Sequence, residues 1–312
     1  MAKNILQIIK GLVILTLVVA GLTSKAQQDP MYTQYNFNTQ TINPAYAGSW
    51  ESMGFVVLGR HQWVGMEGAP RTYTFSMQTP MKNEKVGLGL NLVSDQLGRE
   101  SRISLFGDYS YGFKVSENSI LRMGLKFGVT NYHNNLSDYL QYPGEVDPAS
   151  MGEVDVKYMP NFGVGALLYS ENYYIGLSIP KIIENDFDTN INNYSVESEL
   201  RHFFFTAGYV FNLSEYLRFK PTFLTKASIG APVEFDFTAN FLLGDKVWLG
   251  AMYRTGDSFG FIAQWIFDKK LRIGYAIDFT TTHLQSYSSG THEVMVSYEI
   301  GLKRKWTTPR MF

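Results

Sequence analysis

The most regular pattern in the chain is an alternation of apolar and polar residues, and it is clearest between Ile120 and Tyr132. One alternate set is wholly apolar, whereas the other carries two cations among glycines and a threonine. Successive side chains of a strand point to opposite faces, so this segment predicts a strand with one face in lipid. The apolar set is Leu121, Met123, Leu125, Phe127 and Val129, and the other is Arg122, Gly124, Lys126, Gly128 and Thr130.

The same alternation recurs along the chain in fourteen segments, an even number as in single-chain bacterial barrels. We therefore predict an all-β fold, a single transmembrane antiparallel β-barrel of about 14 strands over residues 53–302. A soluble sandwich also alternates, but it would not need so many long consecutive strands with wide aromatic bands. The predicted strands are 53–62, 71–79, 85–93, 101–115, 119–132, 159–169, 172–179, 201–212, 216–225, 233–243, 246–254, 259–267, 270–280 and 292–302.

The connections between these strands alternate in length. Those after even-numbered strands are short, and most of those after odd-numbered strands are longer, such as 64–70 and 180–200. Outer-membrane barrels have short periplasmic turns and longer loops outside the cell. With an even strand count, this asymmetry predicts that both termini are periplasmic.

Composition narrows the possible functions. Aromatic residues make up 15% of the chain, with 22 Phe and 20 Tyr, and Gly is abundant at 28, all of which suit a membrane barrel. The chain has no Cys, which excludes disulfides, zinc thiolate sites and thiol catalysis. A net charge of −1 gives no indication of a nucleic-acid partner.

The two ends of the chain differ from the barrel region. Residues 1–26 combine Lys3 and Lys10 with a short apolar run and small residues before Gln27, which predicts a secretory signal peptide and an outer-membrane location. The alternative is an uncleaved anchor helix, for which the apolar run is short. Residues 27–52 form a polar segment, and the basic tail 303–312 is either a periplasmic contact or a frayed end.

Candidate chemistry is sparse. The five histidines show no metal-type spacing, so we predict neither catalysis nor a bound cofactor. One loop, 186–197, is a near miss to a calcium loop, in which Ile191 replaces the turn glycine; an ordinary polar loop explains it as well. Its possible ligands are Asp186, Asp188, Asn190 and Glu197.

Charged residues on the inward sets are predicted to lie in the lumen. Such charges could line an open channel or pair across the lumen and fill it, and the pattern does not decide between these arrangements. The clearest examples are Arg122, Lys126, Arg272 and Asp278.

The segment 28–48 resembles the opening of the PorP/SprF family of Bacteroidetes outer-membrane proteins. It reads Asp-Pro-x-x-Thr-Gln-Tyr-x-Phe-Asn from Asp29 and closes in Asn-Pro-Ala-Tyr-Ala-Gly from Asn43. A second match follows at Arg60-x-Gln-Trp-x-Gly, and the chain departs from the family at Thr39, where Pro is frequent. The candidate positions for a luminal plug or a partner contact are Gln34, Tyr35, Asn43, Pro44, Tyr46, Gly48, Arg60 and Trp63.

The resemblance implies a non-enzymatic component of the type IX secretion system. It would support secretion or surface attachment of cargo with a C-terminal sorting domain, such as gliding adhesins. Its partners would be outer-membrane lipid, this cargo, and periplasmic ring or peptidoglycan-linked lipoproteins. The rival hypotheses are a diffusion porin or uptake channel, and a membrane-embedded hydrolase.

Overall fold

The computed structural model describes residues 29–50, 52–81, 84–135, 153–187, 197–268 and 270–301. The predicted signal peptide, the basic tail and most of the candidate calcium loop lie outside these residues. Within the described part of the chain, no helix has the length and apolarity needed to cross a bilayer.

The chain forms a closed antiparallel barrel of fourteen strands, numbered here β1 to β14. Each strand pairs with its neighbours in sequence, and β1 pairs with β14 from Met53↔Ile300 to His61↔His292, which closes the sheet. The strands are β1 Met53–His61, β2 Arg71–Pro80, β3 Val86–Leu97, β4 Glu100–Lys114, β5 Ile120–Asn135, β6 Glu153–Tyr169, β7 Tyr173–Ile179, β8 His202–Tyr209 with its continuation Phe211–Ser214, β9 Leu217–Ser228, β10 Glu234–Leu243, β11 Val247–Arg254, β12 Ser258–Phe267, β13 Leu271–Thr280 and β14 Thr291–Ile300.

Burial follows the alternation of the sequence. In β5, Leu125 and Phe127 are 55% and 62% exposed on the outer face, whereas Arg122 and Lys126 are buried inside. Aromatic side chains pack along the outer face, as where Phe223 on β9 meets Phe237 on β10 with ring centroids 5.1 Å apart. The prediction of a membrane barrel of fourteen strands is confirmed.

Several strands differ in length from the prediction. The β3–β4 hairpin closes in a tight turn at 98–99, so the predicted loop over 94–100 is wrong. Strand β6 begins at Glu153 rather than at 159, because 153–156 pair with the end of β5 beyond a bulge. Strand β8 is interrupted at Val210, whose amide bonds to the carbonyl of Asn172.

The two ends of the barrel are unlike. We name them the short-turn end and the long-loop end. The described residues of the short-turn end are 81, 84–85, 115–119, 170–172, 215–216, 244–246, 268 and 270. Those of the long-loop end are 62–70, 98–99, 180–187, 197–201, 229–233, 255–257 and 281–290. One loop here contains a small two-residue pairing of Asp186–Phe187 with Glu197–Ser198.

Substituting Leu125 or Phe237 by arginine should impair assembly. Both side chains are half exposed on the outer face, and a charge there costs about 2–4 kcal/mol near the bilayer midplane. Tyr216→Arg is the matched control, because Tyr216 is 75% exposed in a turn at the barrel end. The measurement is the fraction of heat-modifiable, folded barrel in outer membranes. Equal losses in all three variants would contradict this assignment of faces.

Candidate functional site

A polar segment fills the interior of the barrel. Residues 29–50, named here the luminal segment, precede β1 and are almost entirely buried. They coil through three short 3₁₀ turns at Tyr35–Phe37, Thr39–Thr41 and Pro44–Tyr46. Asn43 caps the third turn by accepting a hydrogen bond from the Ala45 amide at 2.9 Å, and Pro44 suits the first helical position because its φ is fixed.

The luminal segment runs from one end of the barrel to the other. At the long-loop end, Asp29 pairs with Lys181 in the loop after β7. At the short-turn end, Ser52 donates to Glu299 near the end of β14. The chain therefore makes a fifteenth crossing, inside the barrel, before its first strand begins.

This crossing separates the first and last described residues. The start of β1 and the end of β14 lie at the same end, as their pairing requires. The first described residue, Asp29, lies at the opposite end from the last, Gly301. Both chain termini lie outside the described residues, so the expectation that they share one side stays a prediction. A count of membrane strands omits a crossing made within the lumen.

A buried ion network joins the luminal segment to the closing seam of the barrel. Arg60 on β1 pairs with Asp278 on β13 at 2.9 Å and with Glu293 on β14 at 3.2 Å. The amides of Thr33 and Gln34 donate to the two carboxylate oxygens of Glu293, at 3.0 and 2.9 Å. The Thr33 hydroxyl also accepts from Arg60 and donates to Asp278. All three charged groups are thereby paired in a site that water does not reach.

A second buried network lies on strands β3 to β5, away from the seam. Lys126 on β5 pairs with Asp108 on β4 at 3.1 Å. The Gln40 side chain donates to the same carboxylate at 2.9 Å and to the Met77 carbonyl at 3.0 Å. Asn91 on β3 also donates to Asp108. The side-chain amide of Gln40, in the luminal segment, is thus one of the hydrogen-bond donors to the Asp108 carboxylate.

Uncharged contacts fix the remainder of the segment. The Asn43 side chain donates to the Ala166 carbonyl on β6 at 3.1 Å. Ser178 on β7 donates to the Ile42 carbonyl at 2.7 Å, and Ser110 on β4 to the Ala47 carbonyl at 2.5 Å. These strand hydroxyls satisfy backbone groups that have no regular ladder.

An aromatic cluster surrounds the buried amine of Lys220 on β9. The amine lies 5.2 Å from the ring centroid of Phe37, 5.7 Å from that of Tyr174 and 5.9 Å from that of Trp248. Phe37 also packs edge-on against Trp248, with centroids 5.8 Å apart. Cation–π attraction partly replaces the hydration that the Lys220 amine loses on burial. The luminal segment contributes one of the three rings, that of Phe37.

The start of the segment is held by ion pairs outside the membrane strands. Asp29 contacts Lys181 at 2.9 Å and His202 at 3.7 Å, and Lys181 also pairs with Glu199 at 2.7 Å. Burial acts to raise the pKa of Asp29, but Lys181, His202 and Lys226 outweigh it and hold that pKa below its usual range. The stabilisation from ionised Asp29 is therefore complete above the ordinary carboxyl pKa and is lost only as pH falls through the lowered value.

Inward glycines make room for the segment. A Cβ at Gly124 on β5 would overlap the backbone of Pro44 and Ala45, and one at Gly87 on β3 would overlap the Ala47 carbonyl. Gly48 has a left-handed φ of 69° and lies directly against Gly87. These positions therefore need glycine because two backbones meet there.

The predicted site residues divide into two groups. Those of the segment, Gln34, Tyr35, Asn43, Pro44, Tyr46 and Gly48, lie together in the lumen, where Arg60 joins them. Trp63 lies instead in the 62–70 loop at the long-loop end, where its amide bonds to Thr291.

The four predicted luminal charges are all on the inner face, and two of them, Lys126 and Asp278, bond to the luminal segment. Arg122 donates to Ser110 and to the carbonyls of Glu84 and Lys85, and Arg272 pairs with Glu299.

The candidate calcium ligands stay a prediction. Asp188 and Asn190 lie outside the described residues, as do the side-chain positions of Asp186 and Glu197. Among the described residues, no cluster of three or more His, Asp or Glu side chains is arranged to hold a metal ion.

Asp108, Lys220 and Glu293 were not singled out from the sequence as partners of the segment. Lys220 and Glu293 belong to the inward sets of charged residues predicted by the alternation, and Asp108 also occupies an inward position of a predicted strand. Which residue of the segment each would meet depends on the coiling of 29–50, which alternation does not describe.

Comparisons with known proteins agree with this architecture. Residues 24–298 match the family model described as the type IX secretion system membrane protein PorP/SprF. The chain belongs to the PorP/SprF family. This membership and the barrel fold make it an outer-membrane component of type IX secretion. No curated protein matches the chain.

Solved barrels resemble this PorP/SprF protein in fold. The CymD monoaromatic hydrocarbon channel is 13% identical, with 85% of this chain and 93% of that chain covered and a TM-score of 0.50. A FadL homologue of Pseudomonas aeruginosa is 13% identical, covering 89% and 96%, with a TM-score of 0.47. Omp33 of Acinetobacter baumannii is 8% identical, covering 80% and 99%, with a TM-score of 0.47. At these identities the likeness to CymD shows the barrel fold alone.

Removing Arg60 should destabilise this PorP/SprF barrel strongly. Arg60→Met leaves the carboxylates of Asp278 and Glu293 buried together without their cation, and breaking a buried ion pair costs about 3–5 kcal/mol. The triple variant Arg60→Met, Asp278→Asn, Glu293→Gln should recover much of the loss, since no bare charge then remains. The measurement is the urea midpoint of the gel shift between folded and unfolded barrel. A triple variant weaker than Arg60→Met would contradict the network.

Proposed function

We propose that this protein is a non-enzymatic and non-conducting barrel that supports secretion or surface attachment of cargo carrying a C-terminal sorting domain. The observation that carries the proposal is the filled lumen. A barrel whose interior is occupied by its own chain works through its rims and not through its bore. The cargo class comes from the family.

The contacts of the luminal segment support a closed bore. They reach opposite walls, through Glu293 on β14 on one side and Ser178 on β7 on the other, and also reach Asp108 on β4. Displacing the segment would leave Asp108 and Glu293 without several of their hydrogen-bond donors. Leaving buried polar groups unsatisfied costs about 1–3 kcal/mol each, and more for charged groups, so a solute cannot open this path by itself.

The loop lengths favour the long-loop end as the cell-surface side. In that orientation the sorting-domain cargo meets the long-loop rim. The short turns face the periplasmic ring or peptidoglycan-linked lipoproteins. Asp29, the first described residue, then lies at the cell-surface side.

An uptake channel is the second candidate, favoured by one observation. A small cleft of about 80 Å³ lies between the segment, strands β3 to β5, β8 and the loop after β7. Its lining includes Tyr32, Asp95, Arg102, Phe106 and Phe204. The cleft ends against the segment, so transport would require residues 29–50 to move.

Deleting the protein should abolish surface display of a sorting-domain cargo without changing small-solute permeability. The readouts are surface proteomics of intact cells and the uptake rate of a small hydrophilic dye. Dye uptake should not change, because the filled lumen offers no diffusion path. Surface display should be lost, because the proposed function is to secrete or attach the cargo.

Planar bilayers provide the control. Wild-type protein should conduct little, and replacing 30–48 by a Gly–Ser linker of equal length should raise the conductance. Strong conduction by the wild type, in a deletion background with unaltered surface proteins, would favour the channel instead.

An epitope inserted between Gln27 and Asp29 should be accessible to antibody on intact cells, whereas one inserted at 116–118 should not. The luminal segment places Asp29 and the 115–119 turn at opposite ends of the barrel. Both insertion variants must first be shown by gel shift to form a folded barrel. Antibody binding at 116–118 alone would invert the orientation, and binding at both sites would contradict the crossing.

A further inference from the structure

We propose that a row of three basic side chains on the outer face of β2, β1 and β14 binds the phosphate of an anionic lipid headgroup. The row consists of Arg71, His61 and His292. In the registers of the two strand pairs, His61 lies directly opposite both Arg71 and His292. The three residues therefore stand side by side at one level of the barrel, near its long-loop end.

The row stands on the lipid side of the wall. Along each of these strands the inward positions next to the row are buried, as with Arg60, Thr72 and Glu293, so Arg71, His61 and His292 point outward. Toward the barrel middle, the next outward positions are Tyr73, Gly59 and Val294, and Tyr73 and Val294 are each 51% exposed. Val57 lies one outward position deeper on β1 and is 53% exposed. Basic groups thus stand at the upper margin of an apolar band.

Two tyrosines orient the histidine rings. The Tyr73 hydroxyl lies 2.7 Å from Nε2 of His61, and the two rings meet edge-on at 5.7 Å. The Tyr275 hydroxyl lies 2.6 Å from Nδ1 of His292. Each tyrosine is two residues deeper in the membrane than the histidine it holds. When the tyrosine hydroxyl donates to the nearer ring nitrogen, the second nitrogen, Nδ1 of His61 or Nε2 of His292, carries the proton and can donate to a ligand.

The chemistry favours a phosphate bonded to an acyl tail. Arginine and histidine N–H groups are donors to phosphate oxygens, and the adjacent Arg71 opposes binding of a metal cation by the two histidines. Tyrosine belts mark the membrane–water boundary, where lipid phosphates lie. An apolar strip directly below the cations would accept the acyl chains of the same molecule, which a soluble phosphate does not have.

The proposal requires only that the barrel spans a membrane. It does not depend on cargo or on whether the lumen is filled. The lipid proposal can therefore fail while the proposed function holds, and the proposed function can fail while the lipid proposal holds. In the orientation proposed above, the row faces the outer leaflet.

The test measures lipid binding to the folded barrel in detergent by native mass spectrometry. The probes are short-chain phosphatidic acid, which carries a phosphate monoester, and short-chain phosphatidylcholine, whose charge is neutralised. Wild type should prefer phosphatidic acid. Replacing Arg71, His61 and His292 together by alanine should weaken phosphatidic acid binding about tenfold, as expected for loss of charge-assisted hydrogen bonds, and leave phosphatidylcholine binding unchanged.

The matched control removes exposed cations elsewhere. Lys114→Ala with Lys246→Ala, at the short-turn end, should leave the lipid preference unchanged. Tyr73→Phe with Tyr275→Phe keeps the apolar surface and removes only the two hydroxyls. This variant should show a smaller loss of phosphatidic acid binding, and it decides the question if the triple variant does not fold.

Three outcomes would overturn the proposal. One is equal binding of phosphatidic acid by the wild type and by the variants of the row. Another is an equal loss of phosphatidic acid binding in the lysine control, which would show that the preference follows the net charge of the protein and not this row. The third is displacement of phosphatidic acid by an equal concentration of inorganic phosphate, which would identify a soluble anion as the ligand.

Discussion

The structure depends on one constraint, which is that the polar inner wall of a closed barrel must be satisfied without bulk water. Strands that alternate lipid-facing and inward residues place charges such as Asp108, Arg60 and Glu293 in the interior. Burying an ion costs several kcal/mol unless it is paired and hydrogen-bonded. The luminal segment supplies the missing donors and acceptors, and its amides, hydroxyls and carboxamides contact opposite walls.

The amino-acid composition of the segment follows from this constraint. Asn, Gln and Thr carry both donors and acceptors without charge, so they can match whichever group a strand presents. Gln40 donates to a carboxylate, whereas Asn36 donates to the Thr222 hydroxyl and accepts from Tyr174. Such residues are poor partners for lipid, which is why this polar stretch lies inside the barrel and not among its strands.

The sequence predicted the barrel well because alternation is a local property. In β5, every second residue from Met123 to Val129 is exposed, as the pattern requires. The path of the luminal segment was not predictable in this way. Its 3₁₀ turns follow no long period, and its contacts join residues more than 200 positions apart, such as Thr33 and Glu293. The inward glycines Gly87 and Gly124 admit a second backbone, a role that the alternation of the strands does not signal.

Barrel closure and docking of the segment are physically coupled. The seam between β1 and β14 sets Arg60 directly opposite Glu293, and the amides of Thr33 and Gln34 bind that same carboxylate. Before the seam forms, Glu293 lacks its cation, and before the segment docks it lacks two donors. Each event therefore stabilises the other, so a closed barrel with an empty lumen is disfavoured. The segment is consequently part of the fold itself, and the surfaces left for partners are the two rims and the outer wall.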